Sequence, residues 1–246
     1  MFEKQFELRY FEMEQHAQAS PVTIMKLLEE TAADHCLSIE YSLYDLLEQN
    51  IGWVLLSSYM KMTRYPSYKE KITIRTWLSQ YKGFRGIREN VILDEKGETI
   101  GVARGFWLFF DIEHRRPVKI FDDIINKWNI YPQESTRYDI KSKIEPIVSA
   151  KYVDEFLVRR FDLDTNKHVS NLRYLQWAME SIPKEVMDNC FLQSIDGRFV
   201  GEAQYGHTIE SLTEPGSADK TFTHTIRDIE SKHNCSIAKT VWVDRL

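Results

Sequence analysis

Three polar side chains alternate along one short stretch of this 246-residue chain: Asp164, Asn166 and His168, with Val169 and an apolar, helix-like run from Ser170 directly behind them. A carboxylate, an amide and an imidazole in such proximity can hydrogen-bond a reactant and move protons, the work of general acid–base chemistry. Asp162-x-Asp164-x-Asn166 also has the opening spacing of a calcium loop. Its sixth position is Lys167 where that loop needs Gly, and its twelfth is Arg173 where it needs Glu, so calcium is disfavoured. No Gly-x-Ser-x-Gly elbow presents a serine nucleophile. Cys36, Cys190 and Cys235 form neither a metal spacing nor an even disulfide framework. Asp and Asn ahead of a helix also act as turn and N-cap residues, a plainer role that covers Asp164 or Asn166 singly.

The elements that position this trio occur twice. Setting Phe6–Glu30 over Phe156–Glu180, an offset of 150 (156 minus 6), places Phe6 on Phe156, Arg9 on Arg159, Phe11 on Phe161, Ser20 on Ser170 and Glu30 on Glu180. Both segments read as a strand, a polar turn and an apolar helix. Strand-like runs follow the first at Trp53–Met62, Ile72–Leu78, Gly86–Leu93 and Thr99–Phe110, and the second at Arg198–Tyr205, Thr208–Leu212, Lys220–Ile229 and Ser236–Asp244. A segment at 117–150, with Pro132, Pro146 and a short helix at Asp122–Trp128, reads as a crossover linker. The organisation expected is a unit at 1–116, a linker at 117–150 and a second unit at 151–246. Each unit is one long helix wrapped by an antiparallel sheet: an α+β tandem double hotdog. The first copy carries Glu14, His16 and Gln18 where the second carries Asp164, Asn166 and His168, so the working site is expected in the second.

Composition agrees with a globular protein: 43% hydrophobic residues, 13% aromatics and a net charge of −5. That charge argues against general nucleic-acid binding. No window approaches the roughly 20 apolar residues of a membrane span. The opening MFEKQFELRYFEMEQ lacks the apolar core of a signal peptide, which with the cysteine usage predicts a reduced, cytoplasmic protein.

At its polar stretch the sequence resembles the acyl-acyl carrier protein thioesterases of plastids and bacteria. The family's Asp-x-Asn-x-His-Val-Asn-Asn reads here as Asp164-Thr165-Asn166-Lys167-His168-Val169-Ser170-Asn171, followed by Tyr174, Trp177 and Glu180. In the first half, Trp77-Leu78, Gly101–Arg104 and Phe106–Asp111 leading to Arg115-Arg116-Pro117 are similar to family segments. The family's Glu-Cys pair falls on Glu202-Ala203. The alanine removes a cysteine nucleophile at that position.

The resemblance implies a thioester hydrolase that acts on fatty acyl-acyl carrier protein by direct water attack, without metal or cofactor. Glu202 would be the principal water activator and His168 would share the proton traffic. Asp164 would orient a neighbour, and Asn166 would present its amide to water or carbonyl. Backbone N–H groups at the start of the helix after Val169 would hold the oxyanion. An acyl tunnel between helix and sheet of the first unit would be lined by Met25, Leu28, Val54, Leu56 and Tyr59, which equally suit an ordinary core. Arg159, Arg160, Lys167 and Arg173 would meet the acidic carrier protein. Acyl-coenzyme A as the substrate, or a non-catalytic acyl-binding protein, are the alternatives. Chain-length preference and self-association as a homodimer are left open.

Overall fold

The computed structural model describes residues 1–165 and 167–245; Asn166, one of the alternating polar trio, and Leu246 lie outside the described residues. The chain divides into two units, Met1–Ile140 and Lys141–Leu246. Among the described residues no helix is long and apolar enough to cross a membrane.

The first unit opens with strand β1 (Phe2–Glu7), a 3-10 turn at Tyr10–Glu12 and helix α1 (Pro21–Leu37). Pro21 supplies a helix-ready φ at the first position, and the Ser20 hydroxyl accepts the Thr23 N–H at 3.0 Å. A short α2 (Leu43–Glu48) precedes β2 (Ile51–Met62), β3 (Lys71–Lys82), β4 (Arg85–Leu93) and β5 (Thr99–Asp111). These strands pair antiparallel in the order β1–β3–β4–β5–β2. The tight β4–β5 connection is held by Asp94, whose carboxylate accepts the Lys96 and Glu98 N–H groups at 2.9 Å, with Gly97 at φ +79.

Strand alternation gives this sheet two distinct faces. Toward α1, β4 turns Arg88, whose Nη1 lies 3.0 Å from His35 Nδ1. Burial, with the Arg88 charge beside it, pushes His35 down to about 3, so the ring is neutral. On the other face Glu89 is fully buried and accepts from Arg104 Nε (2.8 Å), Ser79 Oγ (2.8 Å) and Ser135 N–H (3.1 Å). With every partner supplied, this buried ion pair is tolerated.

Of the segment expected to be a crossover linker, residues 117–140 pack with the first unit, and its expected helix at Asp122–Trp128 is present. The two-residue β6 (Arg116–Pro117) pairs with β5, and α3 (Asp122–Trp128) buries Ile124 and Trp128 in a cluster with Leu46, Cys36 and Phe109. Residues 129–140 run over the Glu89 face, accepting from Trp77 Nε1 at the Gln133 carbonyl (2.8 Å) and from Ser57 Oγ at the Ile140 carbonyl (2.7 Å). Beyond Ile140 the chain is strapped to the second unit instead, through Arg198 Nε to the Ser142 carbonyl at 2.9 Å. Buried polar groups on each outer face recruit the segment as cover.

The second unit repeats the opening of the first at a constant offset. Strand β7 (Tyr152–Leu157), a 3-10 turn at Arg160–Asp162, a bridge Leu163–Val169 and helix α4 (Asn171–Glu180) stand 150 residues after β1, Tyr10–Glu12, the bridge Met13–Ala19 and the start of α1. After α5 (Lys184–Asn189) come β8 (Cys190–Phe199), β9 (Thr208–Pro215), β10 (Thr221–Asp228) and β11 (Asn234–Asp244), antiparallel in the order β8–β11–β10–β9–β7. Here α4 seats Trp177 on Phe156 and accepts Ser211 Oγ at its carbonyl (3.2 Å). Each unit is therefore a helix packed on an antiparallel sheet, and the chain is an α+β tandem double hotdog. One strand differs from the sequence expectation: the run placed at Arg198–Tyr205 is the end of β8 followed by a loop. Val200 and Gly201 N–H groups both reach the Cys235 carbonyl, and a Cβ at Gly201 would stand 2.6 Å from the Asn234 carbonyl oxygen. That close approach ends the ladder and turns Glu202 out of the sheet.

Candidate active site

The polar stretch is a closed turn. Asp164 N–H donates to the His168 carbonyl (2.8 Å), Lys167 N–H to the Asp164 carbonyl (3.0 Å), and His168 N–H to Asp164 Oδ1 (3.2 Å), with Lys167 at φ +64. Asp164 thus orients His168 through its backbone. The preceding acid, Asp162, is buried and bound to Arg173 Nε at 2.8 Å, which anchors the turn to α4. Arg173, expected on the docking surface, is committed to that anchor and to Gln176; Arg159, Arg160 and Lys167 are exposed.

Residues 200–207 bring Glu202 opposite the turn: His168 Nδ1 lies 3.6 Å from Glu202 Oε1, with the side chains 42% and 52% exposed. A pair this open to solvent adds little to stability, so its geometry is free to serve chemistry. Three groups hold the loop. Ala203 N–H donates to the Tyr174 hydroxyl (2.8 Å), His233 Nε2 lies 3.0 Å from the Glu202 carbonyl oxygen, and His207 Nδ1 lies 2.7 Å from Asp228 Oδ2. Hydrogen bonding to Asp228 raises His207 above its ordinary value. Tyr174 is buried, and burial raises its phenol, which stays protonated. The motif spacing marks Tyr174 only as a motif position and does not single out His207, Asp228 or His233. The available signal was an acid, Asp228, on the buried face shared by Phe222, His224 and Ile226.

Among the described residues, His207, Asp228 and Glu230 bring ligand atoms within 4.8 Å of one another. The His207–Asp228 bond and the Thr208 N–H donated to Glu230 (2.9 Å) engage that group as a loop anchor. Cys235 lies buried beneath the loop and its thiol is pushed up to about 12 by burial, so it is no nucleophile at neutral pH.

The tunnel residues separate. Met25 is buried on α1 and Leu28 is partly buried there. A bulge between Leu55 and Ser57 shifts the alternation of β2. Trp53 packs toward Trp128, so Val54 faces the other way and is exposed; Leu56 sits at the bulge, partly buried. Tyr59 stacks on Tyr138 at 3.8 Å, on the Glu89 face and away from α1. Val54 and Tyr59 are therefore not between helix and sheet; Met60 and Met62 take that side of β2, with Met62 against Gly101 and Ile92.

The acyl-ACP thioesterase N-terminal domain model matches residues 1–128 and the C-terminal domain model residues 145–244. The oleoyl-acyl carrier protein thioesterase 1 of Arabidopsis thaliana chloroplasts is 27% identical over 98% of this chain and 75% of its own length. The coriander chloroplast oleoyl-acyl carrier protein thioesterase is 29% identical over 87% of this chain and 62% of its own. Among solved structures, an acyl-ACP thioesterase from Bacteroides thetaiotaomicron has a TM-score of 0.87 at 20% identity, covering 98% of this chain and 97% of that one. A 12:0-ACP thioesterase from Umbellularia californica has a TM-score of 0.86 at 19% identity, covering 99% and 97%. The structural likenesses establish the shared fold, and the two domain models, in order and spanning nearly all of both units, establish the lineage: the chain belongs to the acyl-ACP thioesterase family.

Proposed function

We propose that this chain hydrolyses fatty acyl-[acyl carrier protein] thioesters to free fatty acid and carrier-protein thiol, by direct attack of water in the second unit. The observation that carries this reading is the 3.6 Å approach of His168 Nδ1 to Glu202 Oε1 beside the start of α4. Glu202 takes a proton from water as its oxygen attacks the thioester carbon. The tetrahedral intermediate collapses with cleavage of the C–S bond, and His168 delivers the proton to the departing sulfur. Asp164 fixes the His168 backbone, and Asn166 is assigned, by resemblance, to presenting its amide to water or carbonyl. The first N–H groups of α4 stabilise the oxyanion. Ser170, unlike Ser20 on α1, makes no side-chain cap there, which favours that use. No acyl-enzyme is formed, because Ala203 stands where the family carries cysteine and Cys235 is a buried, protonated thiol.

The acyl chain is assigned to the first unit, between α1 and the face carrying Met60, Met62, Ile72 and Ile74, which are buried and apolar. Buried histidines mark both interiors: His224 of the second unit is bonded to Thr213 and Thr240 at 2.8 and 2.9 Å, and His35 of the first lies beside Arg88. A cytoplasmic location belongs to the same proposal; the plant relatives are chloroplastic. The test is thiol release from acyl-acyl carrier proteins of several chain lengths, run beside the same acyl groups on coenzyme A. Release from the carrier protein supports the reading, release from coenzyme A alone replaces it with an acyl-coenzyme A thioesterase, and acyl binding without release leaves a binding protein.

A further inference from the structure

Both units expose an aromatic lip at the same place, and the two lips differ in charge. Equivalence is fixed by backbone bonds: Val158 N–H to the His207 carbonyl and Gly206 N–H to the Val158 carbonyl reproduce Leu8 N–H to Glu70 and Lys69 N–H to Leu8. Tyr205 therefore stands where Tyr68 does (205 − 206 = 68 − 69), and Arg160 and Phe161 stand where Tyr10 and Phe11 do. In the first unit Tyr10 and Tyr68 pack edge to face, Arg9 is bound to Glu12 (Nε to Oε1, 3.1 Å) and Lys69 to Glu7 (2.6 Å). That lip is aromatic and its cations are neutralised. In the second unit the Arg160 guanidinium replaces Tyr10 and lies 5.6 Å from the Tyr205 ring centre, while Asp162, in place of Glu12, is taken by Arg173. Arg159, Arg160 and Lys167 make no ion pair among the described residues. Phe161, the next residue, is 96% exposed. A phenylalanine so open beside unneutralised cations, in a chain of net charge −5, is the composition of an interface anchor rather than of solvated surface.

We propose that Phe161, Arg160 and Tyr205 form the seat for an acidic helix of the acyl carrier protein, Phe161 as the apolar anchor and Arg160 with Arg159 and Lys167 as its cationic rim. This rests on the hydrolase reading. The lip borders the reaction site on both sides, since Phe161 lies three residues before Asp164 and Tyr205 three after Glu202. A carrier seated there delivers its thioester to the His168–Glu202 pair, and an acyl-coenzyme A has no protein helix to seat. The first-unit lip, with its charges paired, is the internal control.

The experiment compares kcat/KM for one acyl group on carrier protein and on coenzyme A, in the unaltered protein, Phe161→Ser, Arg160→Tyr (which restores the first-unit pattern) and Phe11→Ser, at low and moderate salt. The expected result is a loss of about tenfold or more on the carrier ester relative to the coenzyme A ester for the two second-unit variants, residing in KM. The salt dependence flattens in Arg160→Tyr, and Phe11→Ser is silent. Equal losses on both substrates, or no loss on the carrier ester, overturn the seat while leaving the hydrolase reading intact. A shift from dimer to monomer in sedimentation of Phe161→Ser also overturns it, by making the lip a self-association surface. Failure of the unaltered protein to act on the carrier ester overturns the hydrolase reading and the seat with it.

Discussion

The turn before α1 and the turn before α4 have the same backbone and opposite fates. Glu14 N–H to the Gln18 carbonyl (2.8 Å) and Ala17 N–H to Glu14 (3.0 Å) match Asp164 N–H to His168 (2.8 Å) and Lys167 N–H to Asp164 (3.0 Å), with Ala17 and Lys167 both at positive φ. In the first unit the facing loop is then sealed by main chain: Gln18 forms a bridge with Ser67, and Ala19 N–H donates to the Pro66 carbonyl at 2.8 Å. In the second unit no such seal is found among the described residues. The Tyr174 hydroxyl takes the Ala203 N–H instead, and the gap is spanned by the side chains of His168 and Glu202. The difference teaches how a duplicated scaffold divides labour. One copy closes its turn with backbone bonds beneath a 17-residue helix; the other opens it, shortens the helix to 10 residues and exposes two titratable groups.

The largest effect expected from breaking this contrast is on turnover. His168→Ala should lower kcat by about 10²–10⁴-fold, the range for loss of a general acid–base group, with an unchanged circular dichroism spectrum. Gln18→Ala, its first-unit counterpart, should leave turnover unchanged; a comparable loss there would place the site in the wrong copy.

A second prediction concerns what the units share. His35 in the first and His224 in the second are both buried and both pushed down to about 3, His35 by burial and the nearby Arg88, His224 by burial alone. Between the ordinary histidine value near 6.5 and about 3, the unfolded chain binds protons that the native rings refuse. Stability is therefore expected to fall as pH drops through that window, by up to about 1.4 kcal/mol per pH unit for each histidine. Urea midpoints measured from pH 7 down to pH 4 check it, and a flat profile would mean the rings are not held neutral.

A smaller effect is expected at Tyr174. Tyr174→Phe leaves the Ala203 N–H without its acceptor, so Glu202 loses its register against His168. A drop of about tenfold in kcat with little change in KM is expected, alongside roughly 1–3 kcal/mol of lost stability for the orphaned N–H. Equal changes in kcat and KM would reduce Tyr174 to a packing residue.

The smallest effect belongs to His207. Its value is raised by Asp228, so the bond's contribution is fully present at low pH and is lost as pH rises through the raised value. Amide exchange at 202–207 should quicken across that rise and lose the pH dependence in His207→Gln.

Most of this architecture was legible in the sequence, because periodicity and repetition are local signals. The β-branched and aromatic runs from Trp53 to Phe110 fall on the observed strands, and the 150-residue repeat aligned both openings with the observed elements. What escaped was set by tertiary partners. Strand β8 carries Asp196 and Arg198, buried and paired with one another, which reads as surface until the cover from residues 141–147 is in place. The bulge at Leu55–Ser57 puts Val54 and Tyr59, an odd number of residues apart, on the same face away from α1, and no residue type in that run announces it. The His168–Glu202 approach was expected only through resemblance; the Tyr174 and His207 clamps that hold it depend on which loop carbonyl and amide meet which side chain.

The central claim, that His168 and Glu202 act as one unit in the second copy, is tested most directly by a double-mutant cycle on thiol release from acyl-acyl carrier protein. Single-turnover rates are needed for His168→Ala, Glu202→Gln and the double variant. Groups that share one proton path predict a double variant about as slow as the slower single one. Losses that multiply would show two independent contributions and contradict the account.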